Sequence, residues 1–335
     1  MNIKNITNVR TWVIAEIGIN HEGSVERCLE LVNSAGLAGA DAVKLQTITP
    51  QLNYAKDTES YKLFSKATLS LQDTAKVFDY IRERKMSPFT TVGDLQTLSE
   101  IRKLDPVCFK ISSGLLTCTP LIKTLALYKT PVILSTGMSD IQDTTDAIQA
   151  LEPLGDDMYA LLHCVSLYPP AHNELNLSQI NFLQKRFNCT VGYSDHSGDH
   201  RISSIAVAAG AKIIEAHITF DKNRPSFDHK ISLEPADFAK MVTKIRRVET
   251  IMGVSGETRS QKIRDVGKAM GRYISTITPI KKGERISENN TGFLRFCYSE
   301  DLVPAKFLSE FIGKKAVRDI NASEPNKLVD VKDEK

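Results

Sequence analysis

Trp12-Val-Ile-Ala-Glu-Ile17 and Ala42-Val-Lys-Leu-Gln46 are short, mainly apolar runs, and between them residues 24–37 place Val25, Cys28, Leu29, Val32 and Ala35 at helical spacing. Such runs read as parallel strands buried on both faces, and the intervening period reads as an amphipathic helix. Ser24 is the expected N-cap of that helix, although Arg27 rather than Glu stands where a capping box would close. Gly39-Ala-Asp41 turns the chain into the second strand. The alternation then repeats, with strands expected at 89–91, 107–111, 132–135, 159–164, 190–193 and 213–217 and helices near 71–85, 95–104, 119–128, 140–151, 176–187, 199–209 and 236–252. Eight strand–helix units in about 250 residues predict a TIM (β/α)8 barrel. A doubly wound open sheet is the rival, but no GxGxxG turn follows the first strand.

The pattern changes after Met252. Residues 253–268 are polar and rich in Gly and charge, which reads as a linker. Short strand-like elements follow at 273–278, 280–286, 302–313 and 315–320, giving a small β-rich domain. The expected organisation is a barrel over 1–255, a linker over 256–271 and a small domain over 272–335.

With 41% hydrophobic and 25% charged residues in 335, the chain has the material for a large core and is not a disordered sequence. A balance of 43 basic against 40 acidic residues argues against nucleic acid as a partner. No apolar run approaches a membrane span, and residues 1–10 lack a signal-peptide core. The cysteines at 28, 108, 118, 164, 189 and 297 form no CxxC pair, so buried free thiols and a cytoplasmic location are expected.

Barrel chemistry sits at the C-terminal ends of the strands. There the chain carries Glu16, Asn20 and His21; Lys44 and Gln46; Thr90 and Thr91; Lys110, Ser112 and Ser113; Ser135 and Thr136; His163, Ser166 and Tyr168; Ser194, Asp195 and His196; Glu215 and His217. Lys44 and Lys110, in neighbouring parts of the mouth with hydroxyls between them, suit a small phosphorylated or carboxylated substrate. They could equally snorkel or pair with carboxylates, and a desolvated lysine also suits a Schiff-base aldolase. His196 and His217 end neighbouring strands and are either a metal pair or two hydrogen-bonded core histidines. Asp228, in the loop 224–229, could bind sugar hydroxyls, shuttle a proton or be a solvated acid. His163 and Cys164, inside an apolar run, read as core residues.

Several motifs run in order along the chain: Ala15-Glu-Ile-Gly-Ile-Asn-His-Glu-Gly-Ser24, Val43-Lys-Leu-Gln-Thr47, Phe109-Lys-Ile-Ser-Ser-Gly114, Ile133-Leu-Ser-Thr-Gly-Met138, Leu162-His-Cys-Val-Ser-Leu-Tyr-Pro169, Gly192-Tyr-Ser-Asp-His196 and Ile214-Glu-Ala-His217. Together they resemble the sialic acid synthase family, and Ile280-Lys-Lys-Gly-Glu-Arg-Ile286 resembles that family's C-terminal antifreeze-like (SAF) domain. The resemblance implies condensation of phosphoenolpyruvate with N-acetylmannosamine or a related N-acetylated hexose, with Mn²⁺ or Mg²⁺ as cofactor. By position it implies phosphoenolpyruvate contacts from Lys44, Thr91, Lys110, Ser113 and Ser194, and from Ser166, which stands where relatives often have Asn. It implies metal ligands His196 and His217, and it places Glu16, Gln46, Tyr168 and Asp228 around the sugar and metal, with Glu16, Asp228 and Tyr168 as the catalytic set. Arg295 is the match for a sugar-contacting arginine that crosses to a partner subunit in a domain-swapped homodimer. Three departures stand out: Leu115 replaces the usual acidic residue after the strand-4 Ser-Gly, Val92-Gly93 follows Thr91, and Phe296-Cys-Tyr-Ser-Glu300 follows Arg295. They leave open a legionaminic- or pseudaminic-type synthase, or a catalytically impaired sugar-phosphate-binding relative.

Overall fold

The computed structural model describes residues 2–225, 228–253, 256 and 259–332. The chain divides into two compact units, Met1–Gly253 and Val254–Lys335. The first is a closed barrel of eight parallel strands in sequence order: β1 (Trp12–Gly18), β2 (Ala42–Thr47), β3 (Ser87–Val92), β4 (Phe109–Ile111), β5 (Val132–Ser135), β6 (Tyr159–His163), β7 (Thr190–Asp195) and β8 (Ile213–His217). The barrel closes where β1 pairs with β8, from Trp12 opposite Ile213 to Glu16 opposite His217.

Helices over Val25–Leu37, Leu71–Glu83, Leu95–Ile101, Thr119–Leu127, Ile141–Ala150, Gln179–Phe187, Ile202–Ala208 and Pro235–Met252 follow the strands. The Ser24 hydroxyl accepts the Arg27 amide at 3.2 Å, as its N-cap position requires. The strand ends shift slightly from the sequence reading. β4 begins at Phe109, β6 ends at His163, and β7 runs on to Asp195. The segment between β2 and its outer helix folds into two additional helices, Pro50–Asn53 and Glu59–Ala67.

Strand alternation sorts the side chains. Val13, Ala15, Ile17, Val43 and Leu45 face outward into the layer between strands and helices. Trp12, Ile14, Ala42, Phe89, Cys108, Ile133, Ala160, Leu162 and Ile213 form a separate apolar cluster that fills the lower lumen. The rings of Trp12 and Phe89 stack there with centroids 5.5 Å apart. Ile3, on the N-terminal helix Ile3–Thr7, is fully buried in the same cluster. Gly192 leaves this space open, because a Cβ there would come within 2.4 Å of the Ile213 carbonyl.

The second unit has two small antiparallel pairs, β9 (Tyr273–Thr276) with β10 (Thr291–Leu294) and β11 (Lys315–Ala316) with β12 (Val331–Lys332). Its core is Ile274, Ile280, Ile286, Val303, Phe311, Ala316 and Ile320. Residues 305–310, expected to be strand-like, form a 3-10 helix, Ala305–Glu310. Most of the span read as a linker is helical, Gln261–Met270, started by the Ser260 hydroxyl on the Ile263 amide at 3.3 Å. The linker's residues 257 and 258, the barrel's expected last two residues, 254 and 255, and the chain's final three lie outside the described residues.

Candidate active site

Above the apolar floor, the same inward positions become polar: Glu16, Lys44, Thr91, Lys110, Ser135, Ser194 and Glu215. They lie at the base of a cavity of about 590 Å³, a size suited to small-molecule substrates. Lys44 and Lys110 are not on adjacent strands, since β3 lies between them. They converge with Glu215 because β2, β4 and β8 are alternate strands, which fill one layer of such a lumen together. Lys44 Nζ is 2.5 Å from Glu16 and 3.8 Å from Glu215, and Lys110 Nζ is 3.6 Å from Glu215. Hydroxyls complete the floor. Lys44 donates to Thr91 Oγ1 at 3.2 Å, Lys110 to Ser135 Oγ at 2.7 Å, and Ser194 to Glu215 Oε1 at 3.0 Å.

Burial and neighbouring charge set these groups apart. Burial pushes Glu16 up to about 7, with Lys44 opposing and Glu215 and Asp228 adding to it. Burial also opposes ionisation of Glu215, but Lys110 and Lys44 outweigh it and hold this carboxylate low. Lys44 faces a burial penalty that Glu16 and Glu215 more than offset, so it stays an ammonium. Lys110 is lowered by burial, and the like charge of Lys44 adds to that. Asp228 is raised by burial to about 6. Its Oδ2, Glu16 Oε1 and Gln46 Nε2 lie 3.1, 2.9 and 3.4 Å from the point a Cβ on Gly18 would occupy. A glycine at the end of β1, at φ +55°, thus leaves a polar cradle open that any side chain would fill.

His196 and His217 bring their rings to 5.6 Å, and Tyr168 packs on His196 at 4.7 Å. His196 Nδ1 is 2.9 Å from the Val165 carbonyl. A carbonyl only accepts, so Nδ1 carries the proton and Nε2 keeps its lone pair. Burial lowers both histidines, so both are neutral imidazoles. His217 Nδ1 is buried without a hydrogen-bond partner among the described residues. No group of three or more His, Cys, Asp or Glu side chains suited to a metal occurs among the described residues. Tyr168 is held protonated, its phenol pushed up to about 12 chiefly by burial.

Of the expected site residues, Lys44, Gln46, Thr91, Lys110, Ser113, Tyr168, Ser194, His196, His217 and Asp228 line the cavity. Glu16 is fully buried beneath Lys44 and Gln46. Ser166 is not among the lining residues; its Oγ lies 2.6 Å from the point a Cβ on Gly137 would occupy, with Cys164 Sγ and Ser113 Oγ 2.7 and 3.0 Å from the same point. Arg295 belongs to the second unit, exposed just after β10. His163 is structural, bonded through Nε2 to the Leu175 carbonyl at 2.8 Å. Cys164 is not a plain core residue. It lines the cavity, with Sγ 3.2 Å from Ser113 Oγ. Four further wall residues, Ser135, Glu215, Tyr54 and Phe64, had no assigned role in the sequence reading. The parity that makes Lys44 and His217 inward-facing also marks Ser135 and Glu215, whereas nothing in the sequence marks Tyr54 and Phe64.

Residues 31–257 match the model of the NeuB family. The chain belongs to the NeuB family. Among similar proteins, a pseudaminic acid synthase of Campylobacter jejuni is 31% identical over 96% of both chains. SpsE, a spore coat polysaccharide biosynthesis protein of Bacillus subtilis, is 34% identical over 93% of this chain and 91% of its own. Among solved structures, an N-acetylneuraminic acid synthetase from Leptospira borgpetersenii matches with TM-score 0.73 and 29% identity, over 77% of this chain and 90% of that one. For this NeuB-family chain no helix among the described residues is long and apolar enough to cross a membrane.

Proposed function

We propose that this chain condenses phosphoenolpyruvate with an N-acetylated hexose to give a nonulosonic, sialic-type acid and inorganic phosphate. The carrying observation is the pair of buried lysines at the cavity floor. Lys44 and Lys110 set two amines side by side on the floor, with Glu215 as their shared carboxylate partner. The two lysines, ringed by Thr91, Ser113, Ser135 and Ser194, suit a substrate carrying both phosphate and carboxylate.

His196 and His217 would hold Mn²⁺ or Mg²⁺, as neutral imidazoles facing the cavity with oxygens of substrate or solvent completing the shell. When bound, the metal supplies Lewis-acid polarisation of the acceptor aldehyde. The floor lysines orient phosphoenolpyruvate so that its C3 reaches the aldehyde carbon while water adds at C2. Glu16 and Asp228, with raised affinities for protons, hold or accept a proton beside the sugar oxygens at the Gly18 cradle. Gln46 and the protonated Tyr168 serve as hydrogen-bonding partners of the sugar.

The relatives' names include both neuraminate-type and pseudaminic- or legionaminic-type synthases. We favour the second acceptor class, because Leu115, Met138, Tyr54 and Phe64 give the cavity an apolar wall beside its charged floor. Such a wall suits a second acyl group better than a free hydroxyl. Under the same reading the second unit is an antifreeze-like domain, and Arg295 completes the site of a partner subunit in a domain-swapped homodimer. Phosphate release from phosphoenolpyruvate with Mn²⁺, measured against N-acetyl and diacetamido hexoses, tests the proposal. Release with a diacetamido hexose is expected. Binding of phosphoenolpyruvate with no release across the panel would point instead to the catalytically impaired relative.

A further inference from the structure

The loop after β8, which carries Asp228, is tied to the loop after β1 through a single carboxylate outside the cavity. Glu22 accepts from Arg224 Nε and Nη2, each at 2.5 Å, and from Arg27 Nη1 at 2.8 Å. His229 Nε2 lies 2.9 Å from Glu22 Oε1, and its Nδ1 lies 2.7 Å from Thr219 Oγ1. The arginine bonds hold Glu22 down at about 2, so it is a carboxylate and only accepts. His229 therefore donates from Nε2 and bridges the stub of β8 to Glu22. The ring is 1% exposed, so this bridge is part of the packed structure. Glu22 itself sits at φ +52°, a left-handed turn uncommon for a residue with a side chain.

His229 directly follows Asp228, and a second set of bonds fixes the backbone of Asp228 itself. The Ser232 hydroxyl donates to the Asp228 carbonyl, and Asn20 Nδ2 donates to Ser232 Oγ and to the Ile218 carbonyl, both at 2.9 Å. Asp228 is thus held between Ser232 on one side and the His229–Glu22–Arg224 bridge on the other.

We infer that Glu22 is a positioning residue: it clamps the loop after β8 to the loop after β1 and so holds Asp228 at the acceptor end of the cavity. Glu22 touches neither floor lysine, so the clamp acts on the acceptor half and leaves the anion half alone. The kinetic part of this inference rests on the function proposed above; the mechanical part does not.

The test combines amide hydrogen exchange with steady-state kinetics on the full-length chain, for Glu22→Gln and, as a second variant at an exposed side chain, Arg224→Ala. Exchange over residues 219–232 is expected to quicken while the barrel strands keep their protection. Catalytic efficiency toward the acceptor should fall roughly tenfold, the scale of one lost charge-assisted hydrogen bond, with phosphoenolpyruvate affinity unchanged. Arg224→Lys, which keeps the charge, should recover part of the loss. Unchanged exchange over 219–232 in both variants overturns the clamp whatever the activity. Equal losses for both substrates overturn the positioning role, since they would mean a general structural effect. If the wild-type chain turns over no acceptor, the function reading fails, and exchange alone decides the clamp.

Discussion

The lower and upper halves of the barrel lumen are built by the same strands with the same alternation, yet they differ completely in chemistry. Below, Trp12, Ile14, Ala42, Phe89, Ile133 and Leu162 pack into a dry apolar plug. Two residues further along several of the same strands, Glu16, Lys44, Thr91 and Ser135 form a charged floor. Both halves are buried: Ile14 and Glu16 are each 0% exposed. Burial alone therefore does not separate structure from function here. The plug needs only shape, whereas each charge on the floor must find a counter-charge or move its proton affinity.

Substitutions test whether plug and floor are independent. The largest effect is expected for Lys110→Ala, which removes a floor cation and leaves Glu215 with the Ser194 hydroxyl and, 3.8 Å away, Lys44. Phosphoenolpyruvate affinity by calorimetry should fall at least roughly 100-fold, with a stability loss of about 3 kcal/mol in urea titration. Retained affinity would mean that the floor is structural, like the plug. Phe89→Ala in the plug should cost about 3–5 kcal/mol of stability and leave the affinity of the folded fraction unchanged. A loss of affinity there would show that the two halves are not independent.

A pH test probes a buried histidine in the loop after β1. His21 is lowered from 6.5 to about 4, chiefly by burial. The unfolded chain binds the extra proton between these values. Stability from neutral His21 is therefore full above pH 6.5 and is lost as pH falls toward 4. The loss amounts to roughly 3 kcal/mol at 1.36 kcal/mol per pKa unit. Urea midpoints of the wild type relative to His21→Asn should fall across that window, and a flat difference would remove His21 as a source of acid sensitivity. The smallest effect is expected for Ser135→Ala, which takes away one neutral acceptor of Lys110 at 2.7 Å. A loss of about 1 kcal/mol, near fivefold in phosphoenolpyruvate affinity, would place Ser135 on the functional floor, and no change would leave it as a spacer.

The barrel was legible because each strand is a compact apolar run and each helix an amphipathic stretch. Much of the candidate site was legible too, since strand ends can be located and parity tells which residues face inward. Glu215 is the instructive miss. It sits two residues before His217 and shares its parity, yet its cationic partners lie on β2 and β4, and a one-dimensional reading does not bring those strands together with β8. Tyr54 and Phe64 were missed for another reason. Tyr54 lies just after the helix Pro50–Asn53 and Phe64 on the helix Glu59–Ala67, both outside the strand ends where parity points into the lumen. The helix Gln261–Met270 reads as linker from its charge and Gly267, which mask the helical spacing of Ile263, Val266 and Met270.

The eight-fold repeat, the inward parity of the strand ends and the residue types available at the mouth follow from local period and composition, so they are written in the chain order alone. Which charges meet is settled by the folded barrel: Lys44 with Glu16, Lys110 with Glu215, and Glu22 with Arg224, a sequence separation of 202. Proton affinities and the placing of a loop depend on distances between segments remote in sequence, and closure of the barrel, β1 against β8, sets those distances.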